Sequence, residues 1–120
     1  LGPYKPEIIT RICKKSNGLV LSLNKSKVLS MTIPNKFQTY LYCGVPIIAS
    51  CDGITYQLIK NYNIGYSSKA ESASGIVKSI LKLKKINKKK INIISKRMKS
   101  IYQTNFEINK QIQKLEKIIF

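Results

Sequence analysis

Thr32, Ile33, Pro34, Asn35 and Lys36 are the residues of this sequence best suited to hold a ligand. They read as the start of a helix, where the first backbone N–H groups lack partners and the dipole is positive. That combination is a ready anion site. Thr32 reads as a cap, and its hydroxyl can also donate to a phosphate. Lys36 falls in the first turn, where a cation opposes the dipole unless an anion compensates it. The same residues also suit an ordinary helix start with a solvent-exposed lysine, and spacing alone leaves both readings open.

Other chemistry is excluded by what the chain lacks. It has no histidine, which removes Ser-His-Asp, Cys-His and histidine-metal sites within its residues. Its acids are Glu7, Asp52, Glu71, Glu107 and Glu116, too scattered to cage a metal. Cys13, Cys43 and Cys51 are odd in number and lack C-x-x-C spacing, which argues against a disulfide scaffold and for a reducing compartment. No residue stands out as catalytic. No apolar run approaches the roughly 20 residues of a membrane span. Leu1-Gly2-Pro3 carries neither a charged lead nor an apolar signal core, so the expectation is a segment from within a longer product.

The net charge of +17 favours phosphate backbones or anionic lipid surfaces. However, Arg11 and Arg97 are the only arginines; every other base is lysine. Bidentate phosphate and base recognition relies on arginine, so nucleic acid is not an expected partner. Excess isoleucine and asparagine alongside lysine point to compositional drift and a solvated basic face. The segment from Lys82 to Lys99 is the densest in lysine and lacks the interleaved aromatics that single-strand binders stack on. An anionic membrane surface is the alternative partner for that face.

These residues need a frame to position them. Residues 6–15 read as a helix with proline at its start, Glu7 in the first turn and lysines at its end. Short apolar runs at 19–23 and 46–50, and a weaker one at 64–67, read as buried parallel strands. A polar loop follows the first strand. Residues 34–43 form a helix stopped by Gly44 and Pro46, with Phe37, Tyr40 and Leu41 facing a core. Residues 54–62 are helical, as is everything after Ala70. Three stripes mark that tail: Ile76, Ile80 and Leu83; Ile91, Ile94, Met98 and Ile101; and Ile108, Ile112, Leu115 and Ile119. The alternation predicts an α/β chain with parallel strands, a partial doubly wound Rossmann-like sheet followed by a helical tail.

At Pro34, Lys36, Tyr40, Gly44, Pro46, Ile47, Ile48 and Ala49 the sequence resembles the donor-binding signature of GT-B glycosyltransferases of family 4. Asp52-Gly53, Leu58-Ile59 and Asn63-Ile64-Gly65-Tyr66 continue the likeness downstream, and Leu1-Gly2-Pro3-Tyr4 and residues 18–23 extend it upstream. It is closest to the subgroup that makes bacterial surface polysaccharides. The resemblance implies the second half of a GT-B C-terminal domain. Residues 1–69 would be part of a nucleotide-sugar-binding α/β domain, and residues 70–120 its C-terminal helices. It implies a retaining, metal-independent transferase without cofactors, moving sugar from a nucleotide-diphosphate sugar to a lipid-linked or polysaccharide acceptor. Thr32, Ile33, Pro34, Asn35, Lys36 and Thr39 would bind the donor, with Thr39 near the ribose.

The family commonly has two glutamates eight residues apart, where this chain has Met31 and Thr39. Thr39 keeps a hydroxyl for a ribose, whereas Met31 cannot replace a charged acceptor. By the same resemblance, an N-terminal acceptor domain and the first half of the donor domain are missing from these residues, so the chain alone is expected to be inactive. The final helix would pack on that acceptor domain; without it the isolated chain would associate through the stripe. The implied location is cytoplasmic, at the inner face of the membrane for a lipid-linked acceptor. The competing classes are a basic, non-enzymatic module for anionic membrane or nucleic acid, and an inactive remnant.

Overall fold

A computed structural model describes residues 5–105 and 108–119, with the side chains of 108–111 and 119 outside the described set. Seven helices and three strands are described: α1 (Pro6–Lys14), β1 (Leu19–Ser22), α2 (Lys27–Ser30), α3 (Asn35–Cys43), β2 (Ile47–Ser50), α4 (Ile54–Tyr62), β3 (Gly65–Ser68), α5 (Ala73–Lys84), α6 (Lys88–Asn105) and α7 (Ile108–Ile119). The strands form one parallel sheet in the order β1-β2-β3. Leu19 pairs with Ile47 and Leu21 with Ala49, while Ile48 pairs with both Val20 and Tyr66. The expected α/β class and parallel pairing are therefore present.

β2 is buried along its whole length because both faces of the sheet are covered there. On one face Leu21, Ile47 and Ala49 pack with Phe37 and Leu41 of α3, Ile59 of α4, and Ile94, Met98 and Ile101 of α6. This is the main core, and it holds Ile94, Met98 and Ile101 of the expected α6 stripe but not Ile91. α5 covers the other face over β2 and β3, with Lys82 Nζ 5.8 Å from the ring centre of Tyr66. Leu83 of the α5 stripe is buried but Ile80 stays 44% exposed, because the β1 end of that face is uncovered. A groove of about 550 Å³ remains there, lined by Gly18, Val20, Ile48, Ile80, Leu83 and Ile86 among others.

Local chemistry explains most boundaries. α3 ends at Gly44, whose φ of 69° is left-handed. α5 starts at Ser72, whose hydroxyl accepts the Gly75 N–H at 3.0 Å. α6 starts after Asn87, whose side chain accepts the Lys90 N–H at 2.8 Å. Two expectations are corrected. The segment read as a polar loop contains α2, capped by Ser26, whose hydroxyl accepts from Leu29 N–H. The third strand begins at Gly65, not Ile64, and runs through Ser68. The helical tail divides into three helices as its three stripes imply, with backbone turns at Lys85 and Ile86 closing α5 before Asn87 opens α6. In α1 the Ile8, Ile9 and Ile12 face is left partly exposed, and only Cys13 is buried. The upstream likeness at Leu1-Gly2-Pro3-Tyr4 lies outside the described residues.

All three cysteines are buried free thiols. Burial, reinforced by neighbouring Cys13, pushes the Cys43 thiol up to about 11. Burial, with Asp52 beside it, pushes Cys51 up to about 11. Both thiols ionise near 9 in an unfolded chain, so their burial stabilises the fold below pH 9. That contribution is lost as pH rises from about 9 to about 11, because only the unfolded state then gains thiolate. Urea unfolding at pH 7, 9 and 11 should therefore give a nearly constant midpoint up to about pH 9 and a falling one above it.

Candidate functional site

In a parallel sheet every strand ends at the same edge, and each returning helix starts there. The loops after β1, β2 and β3 meet at this carboxyl edge, and α3, α4 and α5 all begin on it. Their dipoles aim positive ends at one region, the location where open α/β sheets bind ligands. Lys25, Lys27, Lys36 and Lys69 lie in the same loops and first turns.

The loops are tied together by specific contacts. Thr55 Oγ1 donates to the Thr32 carbonyl at 3.1 Å, joining the start of α4 to the segment before α3. Asp52 Oδ1 accepts the Ala70 N–H at 3.0 Å. Ser50 Oγ donates to the Lys69 carbonyl at 2.8 Å and accepts the Ser72 N–H at 3.3 Å. Glu71 Oε1 accepts the Lys25 N–H at 3.3 Å, bridging the loops after β1 and β3. Asp52 and Glu71 thus act as loop fasteners.

Each expected site residue has a definite place. Asn35 and Lys36 form the first turn of α3, outside the helical N–H ladder, and both are exposed. The first closure is the Phe37 N–H to the Pro34 carbonyl at 3.0 Å. Ile33 is 37% exposed. Thr39 lies one turn beyond Asn35 on the same side of α3 and donates to the Asn35 carbonyl at 3.4 Å. The structure therefore groups residues 32–36 at the helix start and sets Thr39 one turn along.

Thr32 does not cap α3. Pro34 occupies the cap position with extended backbone and no side-chain bond. Thr32 Oγ1 instead donates to the Leu29 carbonyl at 3.2 Å, finishing α2. Met31, where the resembled family carries an acid, ends α2 with its side chain 69% exposed. Sequence reasoning missed the fastening roles of Asp52, Thr55 and Glu71. The one local signal was the Asp52-Gly53 turn. Among the described residues, no group of three from His, Cys, Asp and Glu is placed to hold a metal ion.

No family model matches this chain, and neither the curated proteins nor the solved structures compared with it yield a match. The site therefore has to be argued from its own geometry.

Gly53 is the residue on which that geometry is most exacting. Its φ of 78° and ψ of −137° suit glycine, and an added Cβ would stand 1.9 Å from the Ser30 carbonyl oxygen. Gly53→Ala should destabilise the chain by about 2–4 kcal/mol, since neither backbone can yield cheaply. Gly18→Ala should cost less, because the nearest atom there, at 2.7 Å, is the tip of the Leu83 side chain. Urea denaturation of the two variants measures the difference.

Proposed function

We propose that this chain forms the donor-binding half of a GT-B glycosyltransferase. It takes a nucleotide-diphosphate sugar and serves transfer to a lipid-linked or polysaccharide acceptor. The observation that carries the reading is the exposed first turn of α3, where Asn35 and Lys36 follow the segment that Thr32 ties to Thr55 at the carboxyl edge. Free N–H groups, a positive dipole end and a lysine ammonium together suit a diphosphate. Lys36 and the positive end of the dipole repel each other, and a diphosphate would attract both. Thr39 lies one turn along, within the span of a ribose attached to that diphosphate. The signature running from Pro34 to Ala49 supplies the sugar-transfer chemistry of the proposal.

Three exposed surfaces suit a half-domain. The β1 edge lacks a strand neighbour in the sheet and leaves Val20 48% exposed. α1 leaves Ile8, Ile9 and Ile12 partly exposed. Val28 and Met31 of the α2 region, 70% and 69% exposed, present apolar surface next to the donor position. In the proposed whole enzyme these faces meet the other half of the donor domain and the acceptor domain. Since transfer takes place between the two domains, positioning of the acceptor would come from the acceptor side.

Titration with uridine, guanosine and adenosine diphosphates, followed calorimetrically, tests the reading. Lys36→Ala should weaken binding of the preferred diphosphate about tenfold or more, the scale of one charge-assisted contact. Lys89→Ala, on an exposed part of α6, should leave it within about twofold of the parent. Equal losses from the two substitutions would mean that bulk charge alone draws the nucleotide, and the donor-site proposal would fall.

A further inference from the structure

We propose that Cys13 and Cys43 are an oxidative modification site, a dithiol that closes to a disulfide and clamps α1 onto α3, independently of the donor-site reading. The two residues come from different helices, yet they share one small core cluster with Leu19 and Val45. Cys43 Sγ donates to the Thr10 carbonyl of α1 at 4.0 Å, and the Cys13 thiol is in hydrogen-bond contact with the Cys43 sulfur. Thr10 and Cys13 are one turn apart, so the Cys43 sulfur sits against the same turn of α1 that carries the other thiol. Cys51 shows the contrast. It is fully buried in the main core, with neither of the other two cysteines in its cluster. Cys43 ends α3, at the opposite end from Asn35 and Lys36, so the clamp and the candidate site occupy different edges of the sheet.

Access comes from α1. Cys13 is its only buried residue, and Ile8, Ile9 and Ile12 remain 38%, 42% and 44% exposed. A helix that buries so little opens locally at a fraction of the cost of unfolding the core. In the closed state burial keeps the Cys43 thiol protonated and unreactive. Opening gives a small oxidant, hydrogen peroxide, access to Cys13. The Cys13 thiolate attacks one peroxide oxygen, the O–O bond breaks, and a sulfenic acid and hydroxide form. That hydroxide takes the Cys43 proton, and the Cys43 thiolate displaces a second hydroxide from the sulfenic sulfur to form the S–S bond. The second hydroxide meets the proton released when Cys13 ionised. In sum, two thiols and one peroxide give one disulfide and two waters, and each sulfur loses one electron. Free thiols are the resting state, and the disulfide is the response to oxidant, as in redox-sensing thiol pairs.

Treatment of the full 120-residue chain with hydrogen peroxide in mildly alkaline buffer, then alkylation of the remaining thiols and mass spectrometry, is the test. Free thiols should fall from three to one, fragment spectra should join Cys13 to Cys43, and dithiothreitol should restore all three. The disulfide closes a loop of about 30 residues, so the thermal midpoint of the oxidised chain should rise by about 5 °C or more. Cys13→Ala, at the less buried member of the pair, should leave both remaining thiols free and the midpoint unmoved by peroxide. A cross-link to Cys51, disulfide-linked dimers in place of the internal bond, or three thiols surviving peroxide in the folded chain would overturn the proposal. So would an oxidised chain whose midpoint is unchanged or lower, because the bond would then strain the two helices instead of clamping them.

Discussion

The constraint on which the site depends is a backbone contact between two loops. The Ser30 carbonyl presses against Gly53 where any other residue would carry its Cβ. This contact sets the end of α2 against the start of α4, and the Thr55–Thr32 hydrogen bond continues the same seam. The residues between α2 and α3 are then held from both ends, by Thr32 on the seam and by Phe37 buried in the core. The first turn of α3 has little freedom to choose another direction. Ser50, Asp52 and Glu71 extend the lacing to the loop after β3, so three loops behave as one platform. A platform fixed before a ligand arrives does not have to be ordered by it, which lowers the entropy cost of binding.

Much of the frame was legible because it rests on local rules. β2 is apolar or small at every position, and a continuous run of that kind is what a strand covered on both faces requires. Gly44 and Pro46 stop α3 for reasons contained in their own backbones. α2 was not legible. Its four residues are too few for a helical period to show, and its carbonyl end is positioned by Gly53, more than twenty residues downstream. The cap at α3 was misassigned for a related reason: Pro34 supplies the extended cap geometry by itself, which frees the Thr32 hydroxyl to close α2. The fasteners of the candidate site could not be read at all. Lys25 and Glu71 meet across 46 positions of sequence, and only the folded sheet edge brings them together.

The charge of the chain divides into parts that do different things. Lys14 lies 5.0 Å from the ring centre of Tyr42 and Lys82 lies over Tyr66, so some lysines serve as packing elements with their charge against an aromatic face. Lys25, Lys27, Lys36 and Lys69 belong to the carboxyl edge, where they add to three helix dipoles of the same sign. Asp52 and Glu71, each accepting a backbone N–H through one oxygen, lie in the same loops and offset only part of that concentration. Such an edge is held together against its own repulsion by loop contacts and core burial. Binding an anion there would relieve the repulsion, and relief of this kind stabilises the folded state in proportion to ligand occupancy.

The β1 edge shows how this sheet can be folded as it stands and still accept an extension. In a parallel pair, Leu19 and Leu23 turn their N–H groups toward β2, which leaves Val20 and Ser22 facing outward. The Tyr40 hydroxyl donates to the Val20 carbonyl at 2.9 Å, and partial burial raises the phenol above its ordinary range, keeping it a proton donor. That bond supplies one of the edge's missing donors, a common form of protection for an exposed strand. It does not close the edge. A carbonyl oxygen has two lone pairs, so Val20 can keep Tyr40 and still accept an N–H from an added strand. The side chain of Val20 points the same way energetically, since it lines the apolar groove and stays half exposed beside Ile80. Hydrogen bonding at this edge is therefore adequate without a neighbour, whereas apolar burial is not. The gain from adding a strand with its covering helix would come mainly from filling that groove.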